Sequence, residues 1–148
     1  MRIAAAVLAV LTLLLQPPAA NAVGNLDDPR AKHADFEPGL AAIRTREWPV
    51  AIAHFETVVK GEPGNADAHN WLGYAYRNLG EMDASLRHYR EALRLAPGHL
   101  GAHEYIGEAY LKLGDKAKAR EHLAILERLC GRNCEEYKDL ERAIAAAK

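Results

Sequence analysis

The sequence lacks a charge excess of either sign and lacks the residue patterns of most enzymes. Its 148 residues carry 19 basic and 20 acidic side chains, a formal net charge of −1. Such a balance provides no long-range attraction for nucleic acid or for an anionic membrane. The sequence contains no evident nucleophile–base pair, phosphate-binding glycine loop or paired catalytic carboxylates. These absences favour a non-enzymatic protein that needs no cofactor and binds no nucleic acid.

Long hydrophobic runs are also missing, apart from one short stretch at the N-terminus. Ile3–Leu15 follows Arg2 and is too short to span a bilayer comfortably. Residues 20–22 are Ala-Asn-Ala, the small-residue pattern that signal peptidase accepts. We predict that residues 1–22 form a signal peptide cleaved after Ala22, so that the mature protein is periplasmic or otherwise exported and has no membrane segment. The alternative is an uncleaved N-terminal anchor.

Cysteine is nearly absent, since Cys130 and Cys134 are the only two. In an oxidising compartment the pair is interpreted as a disulfide that pins the turn before the last helix. Closing so short a loop contributes about 2 kcal/mol on the chain-entropy model. A redox-active pair is an alternative, because a helix N-terminus near Cys134 would stabilise its thiolate. Metal or other ligation is a third interpretation, although the spacing is not that of a thioredoxin-like motif.

What the sequence does contain is an internal period of 34 residues. The following residues recur at this distance: Gly73, Tyr76 and Gly80 as Gly107, Tyr110 and Gly114, and His69 and His88 as His103 and His122. A fixed period of this length is typical of stacked helical hairpins. The clearest copy is Ala66–His99.

This copy resembles a tetratricopeptide repeat, on the evidence of six residues: Leu72, Gly73, Tyr76, Tyr89, Ala92 and Pro97. The resemblance implies an all-α solenoid of about three helix–turn–helix repeats, near 32–65, 66–99 and 100–131, within a domain spanning 35–148. Residues 23–34 would form an N-terminal arm, and a capping helix would span 134–147. The first repeat is degenerate and atypical, as terminal repeats often are. The ending with Cys130 and Cys134 is similar to that of short exported bacterial repeat proteins.

Several local features of these repeats can be predicted from single residues. We expect Gly73 to allow close approach of two helices and Gly80 to adopt a left-handed turn conformation. Asn65 is a helix N-cap candidate, and so are Asp35 and Asn133. The following two expectations concern side chains: the Ser85 hydroxyl bonds a backbone carbonyl, and Trp71 packs against its neighbours.

The resemblance also implies a binding surface, because the first helix of each such repeat lines a concave groove. Carried onto this sequence, the groove residues are Phe36, Leu40, Asn70, Tyr74, Arg77, Asn78, Glu104, Glu108 and Lys112. An extended or helical peptide would place apolar groups on the aromatic end and polar groups on Arg77 and the asparagines. The lysine and asparagine set with which the family clamps a C-terminal carboxylate is absent from the sequence. Alternatives are an ordinary solvated face, a surface covered by the N-terminal arm, or a self-assembling scaffold.

Seven histidines raise the question of a metal site. His99 and His103 are four residues apart, a spacing that brings two imidazoles together on one helix. We expect His99 to precede the helix, where that geometry fails. His88 and His122 are expected on the outer helices. The sequence therefore predicts no metal site.

Overall fold

The computed structural model describes residues 33–147, a range that contains helices and no strands. The helices are α1 (Phe36–Thr45), α2 (Trp48–Gly61), α3 (Ala66–Leu79), α4 (Met82–Leu95), α5 (Leu100–Lys112), α6 (Lys116–Cys130) and α7 (Glu135–Ala146). The predicted all-α class is confirmed. None of the helices in this range is long and apolar enough to cross a membrane. The predicted signal peptide and residues 23–32 of the predicted arm lie outside the described residues.

The ends of α3 follow their sequence signals. The Asn65 side chain accepts a hydrogen bond from the backbone N–H of Ala68 at 2.9 Å, so Asn65 caps the helix as predicted. Gly80 ends the helix with a φ of +94°, the left-handed conformation expected there. The second hairpin is thus delimited by local chemistry.

Two other predicted caps are wrong. Asp35 precedes α1, but its backbone is already helical and its side chain does not cap the helix. Its Oδ1 lies instead 2.9 Å from Nδ1 of His54 on α2. Asn133 does not cap α7, because the helix begins one residue later and Cys134 stands at the N-cap. The Asp35 side chain is thus engaged in a tertiary contact, and the position before α7 is taken by a disulfide-bonded cysteine.

The two helices of the second hairpin meet at Gly73. The ring of Tyr89 on α4 covers this glycine, and a Cβ there would stand 2.6 Å from two ring carbons. The Ser85 hydroxyl donates to the Gly73 carbonyl at 2.7 Å, which confirms the predicted hydrogen bond. Gly39 makes the same close contact with Phe55 in the first hairpin. The degenerate first helix therefore keeps the glycine contact on which hairpin packing depends.

The buried apolar side chains form two clusters, one within α1–α3 and one within α4–α7. Phe36 belongs to the first cluster, where it packs edge-to-face on Phe55 with ring centroids 5.5 Å apart. In the second cluster, Leu140 of α7 lies over Gly107 and is fully buried. The last helix thus covers the third hairpin, the place expected of a capping helix.

Cys130 and Cys134 are joined in a disulfide that links the end of α6 to the start of α7, with their Cα atoms 5.9 Å apart. Glu136 lies beside the two sulfurs. Among residues 33–147, these three form the one group of three potential metal ligands whose donor atoms lie within 4.8 Å of one another. The disulfide occupies both sulfurs of this group.

Replacing both cysteines by serine is expected to lower the free energy of unfolding by about 2 kcal/mol, because the unfolded chain gains the freedom that the closed loop removed. Thermal unfolding of the oxidised protein and of the serine variant measures this difference. Adding a reductant, which opens the disulfide, should lower the melting temperature of the wild-type protein and leave that of the variant unchanged. Equal melting temperatures for both proteins would contradict a stabilising role.

Candidate functional site

Four aromatic side chains from α2, α3 and α5 form a cluster. Tyr74 on α3 stands at its centre, with its ring centroid 5.0 Å from that of Tyr105, 5.7 Å from Trp71 and 6.1 Å from Trp48. All four side chains are half-buried, so each keeps part of its surface in solvent. Contact between neighbouring rings fixes their positions and leaves an apolar surface that is already formed.

Arg77 holds the two tyrosines of this cluster together. Its guanidinium lies 5.1 Å from the ring centroid of Tyr74 and 5.5 Å from that of Tyr105. One guanidinium nitrogen pairs with the Glu108 carboxylate and also donates to the Tyr105 carbonyl at 3.2 Å. Arg77 is only 6% exposed, and its Nε has no hydrogen-bond partner among the described residues. This arginine is therefore a structural part of the site's floor.

Beside this floor, α5 contributes a buried acidic group, Glu104. It is 8% exposed. Burial, followed by the nearby carboxylates of Glu108, Asp139 and Glu136, raises the pKa of its carboxyl group to about 8, while Arg77 acts to lower it. The last two acids belong to α7, which packs against α5. We call the surface formed by Tyr74, Tyr105, Arg77, Glu104 and Glu108 the groove face.

The other predicted groove residues differ from one another in how far they are exposed. Phe36 lies in the core and not in the groove, because its ring fills the space against α2. Leu40 is half-buried against the same core cluster. Asn70 is 3% exposed, and its Oδ1 has no hydrogen-bond partner within residues 33–147. Asn78 is exposed and donates to the Tyr74 carbonyl at 2.8 Å, while Lys112 is exposed at the end of α5.

Sequence reasoning missed two members of the aromatic cluster, Tyr105 and Trp48. Trp71 packs against the first core cluster, as predicted, and also contacts Tyr74. The repeat period itself could have found Tyr105, which follows Trp71 by 34 residues and so occupies the same place in the next repeat. No signal in the sequence indicates Trp48, because its contact with Tyr74 depends on how the first turn places α2.

The histidines form a second repeated feature, a pair of polar side chains between the helices of each hairpin. In the second and third hairpins a pair of imidazoles links the two helices. In the first hairpin a carboxylate and an imidazole form the corresponding pair. The distances are 2.9 Å from Asp35 to His54, 3.1 Å from His69 to His88 and 2.9 Å from His103 to His122. His99 precedes α5 as predicted and accepts a hydrogen bond from the Ala102 N–H at 3.2 Å. It therefore caps the helix and does not pair with His103.

Hydrogen bonding assigns the protons of the third-hairpin pair. Nε2 of His103 lies 2.9 Å from the Pro97 carbonyl, which can only accept, so this nitrogen carries the hydrogen. Nδ1 of neutral His103 is then an acceptor, and His122 Nδ1 must donate to it. The pair is satisfied while both rings are neutral. Burial, followed by the neighbouring His103, lowers the pKa of His122 to about 4.

Comparison with known proteins gives the class to which this arrangement belongs. The family model for the tetratricopeptide repeat matches residues 36–99 and 75–133. The chain belongs to the tetratricopeptide repeat family, whose domains are protein–protein interaction modules. No curated protein sequence shows significant similarity to it.

Solved structures of the same fold are similar at low sequence identity. The TPR2B domain of yeast Sti1, in a complex with pHsp70, superposes with a TM-score of 0.71 and 16% identity, covering 76% of this chain and 92% of that one. The first such domain of Spaghetti (RPAP3), bound to the HSP90 peptide SRMEEVD, superposes with a TM-score of 0.67 and 19% identity, covering 74% of this chain and 89% of that one. The Yersinia enterocolitica type III secretion chaperone SycD, in complex with a peptide of the translocator YopD, superposes with a TM-score of 0.66 and 16% identity, covering 76% of this chain and 86% of that one.

Proposed function

We propose that this protein is a non-enzymatic interaction module that binds a peptide or protein segment along its groove face, in the periplasm or another exported compartment. The observation that carries the proposal is the half-exposed aromatic cluster around Tyr74, which Arg77 and Tyr105 hold in place. Aromatic side chains on rigid helices offer contact area while losing little entropy on binding. Export is supported by the predicted signal peptide at residues 1–22.

The similar structures support the same mode of binding. Two of them are complexes with a peptide, one from HSP90 and one from the translocator YopD. From these structures we infer only that the ligand of this chain is a protein or peptide. Its identity is a matter for experiment.

Replacing Tyr74 and Asn78 together by alanine is expected to reduce partner capture at least tenfold, because it removes the central ring and an exposed amide without opening the core. Arg77 is left in place, since it is buried and its loss would test folding. The measurement is capture from the exported fraction by the purified protein, quantified by mass spectrometry. A photoreactive residue at position 78 should also crosslink the captured protein.

The matched control replaces Leu113 and Leu129 by alanine. These side chains are 51% and 46% exposed, lie at the end of α5 and on α6, and contribute no side chain to the groove face. Capture should be unchanged in this variant. Equal losses in both variants, or no loss in the groove variant, would contradict the proposal.

A thiol-dependent redox factor is the second candidate, favoured by the position of Cys134 at the N-cap of α7 in a disulfide with Cys130. A thiolate at a helix N-terminus is stabilised, which assists thiol–disulfide exchange. The reduction potential of the pair separates the two functions. A value below about −300 mV indicates a structural bond, whereas one near −200 mV would support redox activity.

A further inference from the structure

Glu104 is a buried acid without a bonded partner. It is 8% exposed, and no hydrogen bond or ion pair joins it to another of the described residues. An ionised carboxylate in such a position lacks the interactions that normally accompany burial. Its protonated form is therefore favoured, and its pKa rises to about 8 through burial first and neighbouring acids second.

The charges that face Glu104 are unbalanced in sign. Glu108 on the same helix and Glu136 and Asp139 on α7 act on it with negative charge, and Arg77 on α3 acts with positive charge. The positive charge of Arg77 is already compensated, because its guanidinium pairs with the Glu108 carboxylate. Arg142 pairs with Asp139 at the exposed surface of α7, where such a pair exchanges easily with solvent or with a ligand. Glu104 and Glu136 are therefore the two acids of this group that have no basic partner among residues 33–147, so a cation is what a ligand can add.

We propose that the groove face binds a basic peptide segment, whose lysine or arginine side chain enters between α5 and α7 and pairs with Glu104, Glu136 and Asp139. The segment's apolar side chains lie on Trp71, Tyr74 and Tyr105. This inference rests on the proposed peptide-binding function and specifies the chemistry of the ligand.

Charge complementarity decides between a basic and an acidic segment. An acidic peptide would bring its carboxylates toward the α5 and α7 acids, and like charges at close range oppose binding. A lysine stem can instead lie along the Tyr105 ring while its ammonium group reaches the carboxylates. Tyr105 already accepts a cation in this way, since the Arg77 guanidinium lies 5.5 Å from its ring centroid.

Binding of a cation beside Glu104 also makes affinity depend on pH. The carboxyl group is mostly protonated in the free protein at pH 7, because its pKa is about 8. An ammonium group stabilises the ionised form, so binding releases a proton and becomes tighter as pH rises toward 8. We expect the dissociation constant for a basic peptide to fall about tenfold between pH 6 and pH 8 at low salt.

The experiment is an NMR titration of the intact protein with three capped peptides of equal length. The peptides share their apolar positions and carry lysine, glutamine or glutamate at the two polar positions. The lysine peptide is expected to bind at least tenfold more tightly than the glutamine peptide and to shift amide signals of α3, α5 and α7. The glutamate peptide is expected to give no shifts at millimolar concentration.

Matched variants test the residue itself. Glu104→Gln keeps the shape of the side chain and should reduce the lysine preference below about threefold and abolish the pH dependence. Glu121→Gln removes the same charge from the exposed surface of α6 and should change neither. Since Glu104→Gln removes a buried acid, it should also raise the melting temperature at pH 8, which verifies folding.

The outcomes separate this inference from the proposed function. Equal binding of all three peptides, with shifts at the groove face, would overturn the charge preference and support peptide binding. An undiminished lysine preference in Glu104→Gln would also overturn the assignment. Absence of shifts with every peptide at millimolar concentration would count against both.

Discussion

Gly73→Ala should destabilise the protein by about 3 kcal/mol, a large part of the stability of a domain this size. The added methyl group would stand 2.6 Å from two ring carbons of Tyr89, which is fully buried. Separating α3 from α4 to relieve the contact would also lengthen the hydrogen bond from Ser85 to the Gly73 carbonyl. The free energy of unfolding in urea measures the effect.

Gly101→Ala is the matched control for this substitution. Gly101 lies in the helix α5, and an added Cβ would stand at an ordinary 3.6 Å from the Asn70 amide nitrogen. Alanine favours the helix by up to about 1 kcal/mol over glycine, so stability should stay the same or rise. Gly107→Ala, whose methyl group would stand 2.7 Å from Leu140, should resemble Gly73→Ala. Equal stabilities of the Gly73 and Gly101 variants would refute the packing argument.

The second large effect is a loss of stability in mild acid that depends on the histidine pairs. Burial, followed by His69 and then Arg87, lowers the pKa of His88 to about 4, and His122 is lowered to about 4 by burial and His103. In the unfolded chain both titrate near the ordinary value of about 6.5. Below that pH the unfolded state binds more protons than the folded state, so stability falls as pH decreases from about 6.5 to 4.

We expect this loss to be about 1 kcal/mol per ring. The full pKa difference would correspond to about 3 kcal/mol, but solvent screens rings that are only half-buried. The measurement is the free energy of unfolding at pH 7 and at pH 4.5, in the wild type and in the double variant His88→Gln, His122→Gln. The variant should lose about 2 kcal/mol less than the wild type over this interval.

His54→Gln provides the control for the histidine prediction. His54 occupies the same repeat position but faces the Asp35 carboxylate and not a second imidazole. Its removal therefore leaves both imidazole pairs intact and should not reduce the acid sensitivity. A double variant as acid-sensitive as the wild type would show that the pairs do not control the transition.

The repeat residues show why much of the fold could be predicted. Gly73, Gly80 and Asn65 act through the backbone next to them, and the 34-residue period repeats the same backbone requirements in the next hairpin. Cys130 and Cys134 could be paired because they are the only cysteines and lie close in the sequence. Each of these inferences depended on local geometry or on a short covalent connection.

The groove residues show where prediction from the family pattern failed. Position within a repeat implied an exposed side chain at Phe36, but this ring packs onto Phe55 of α2. The same pattern treated Arg77 as an accessible ligand contact, whereas Tyr74 and Tyr105 enclose it. Burial in the groove depends on which side chains neighbouring repeats contribute, and that varies from copy to copy.

The sequence by itself determined that this protein is a stack of helical hairpins with a cysteine-linked end, because period, glycines and caps are properties of short segments. Only the tertiary structure decided which groove positions are floor and which are contact surface. Glu104 illustrates the division. Its place on α5 follows from the repeat, but its raised pKa arises from burial first and then from Glu108, Asp139 and Glu136, the last two of which α7 supplies. Long-range electrostatics and packing between elements distant in sequence are not encoded in any local pattern.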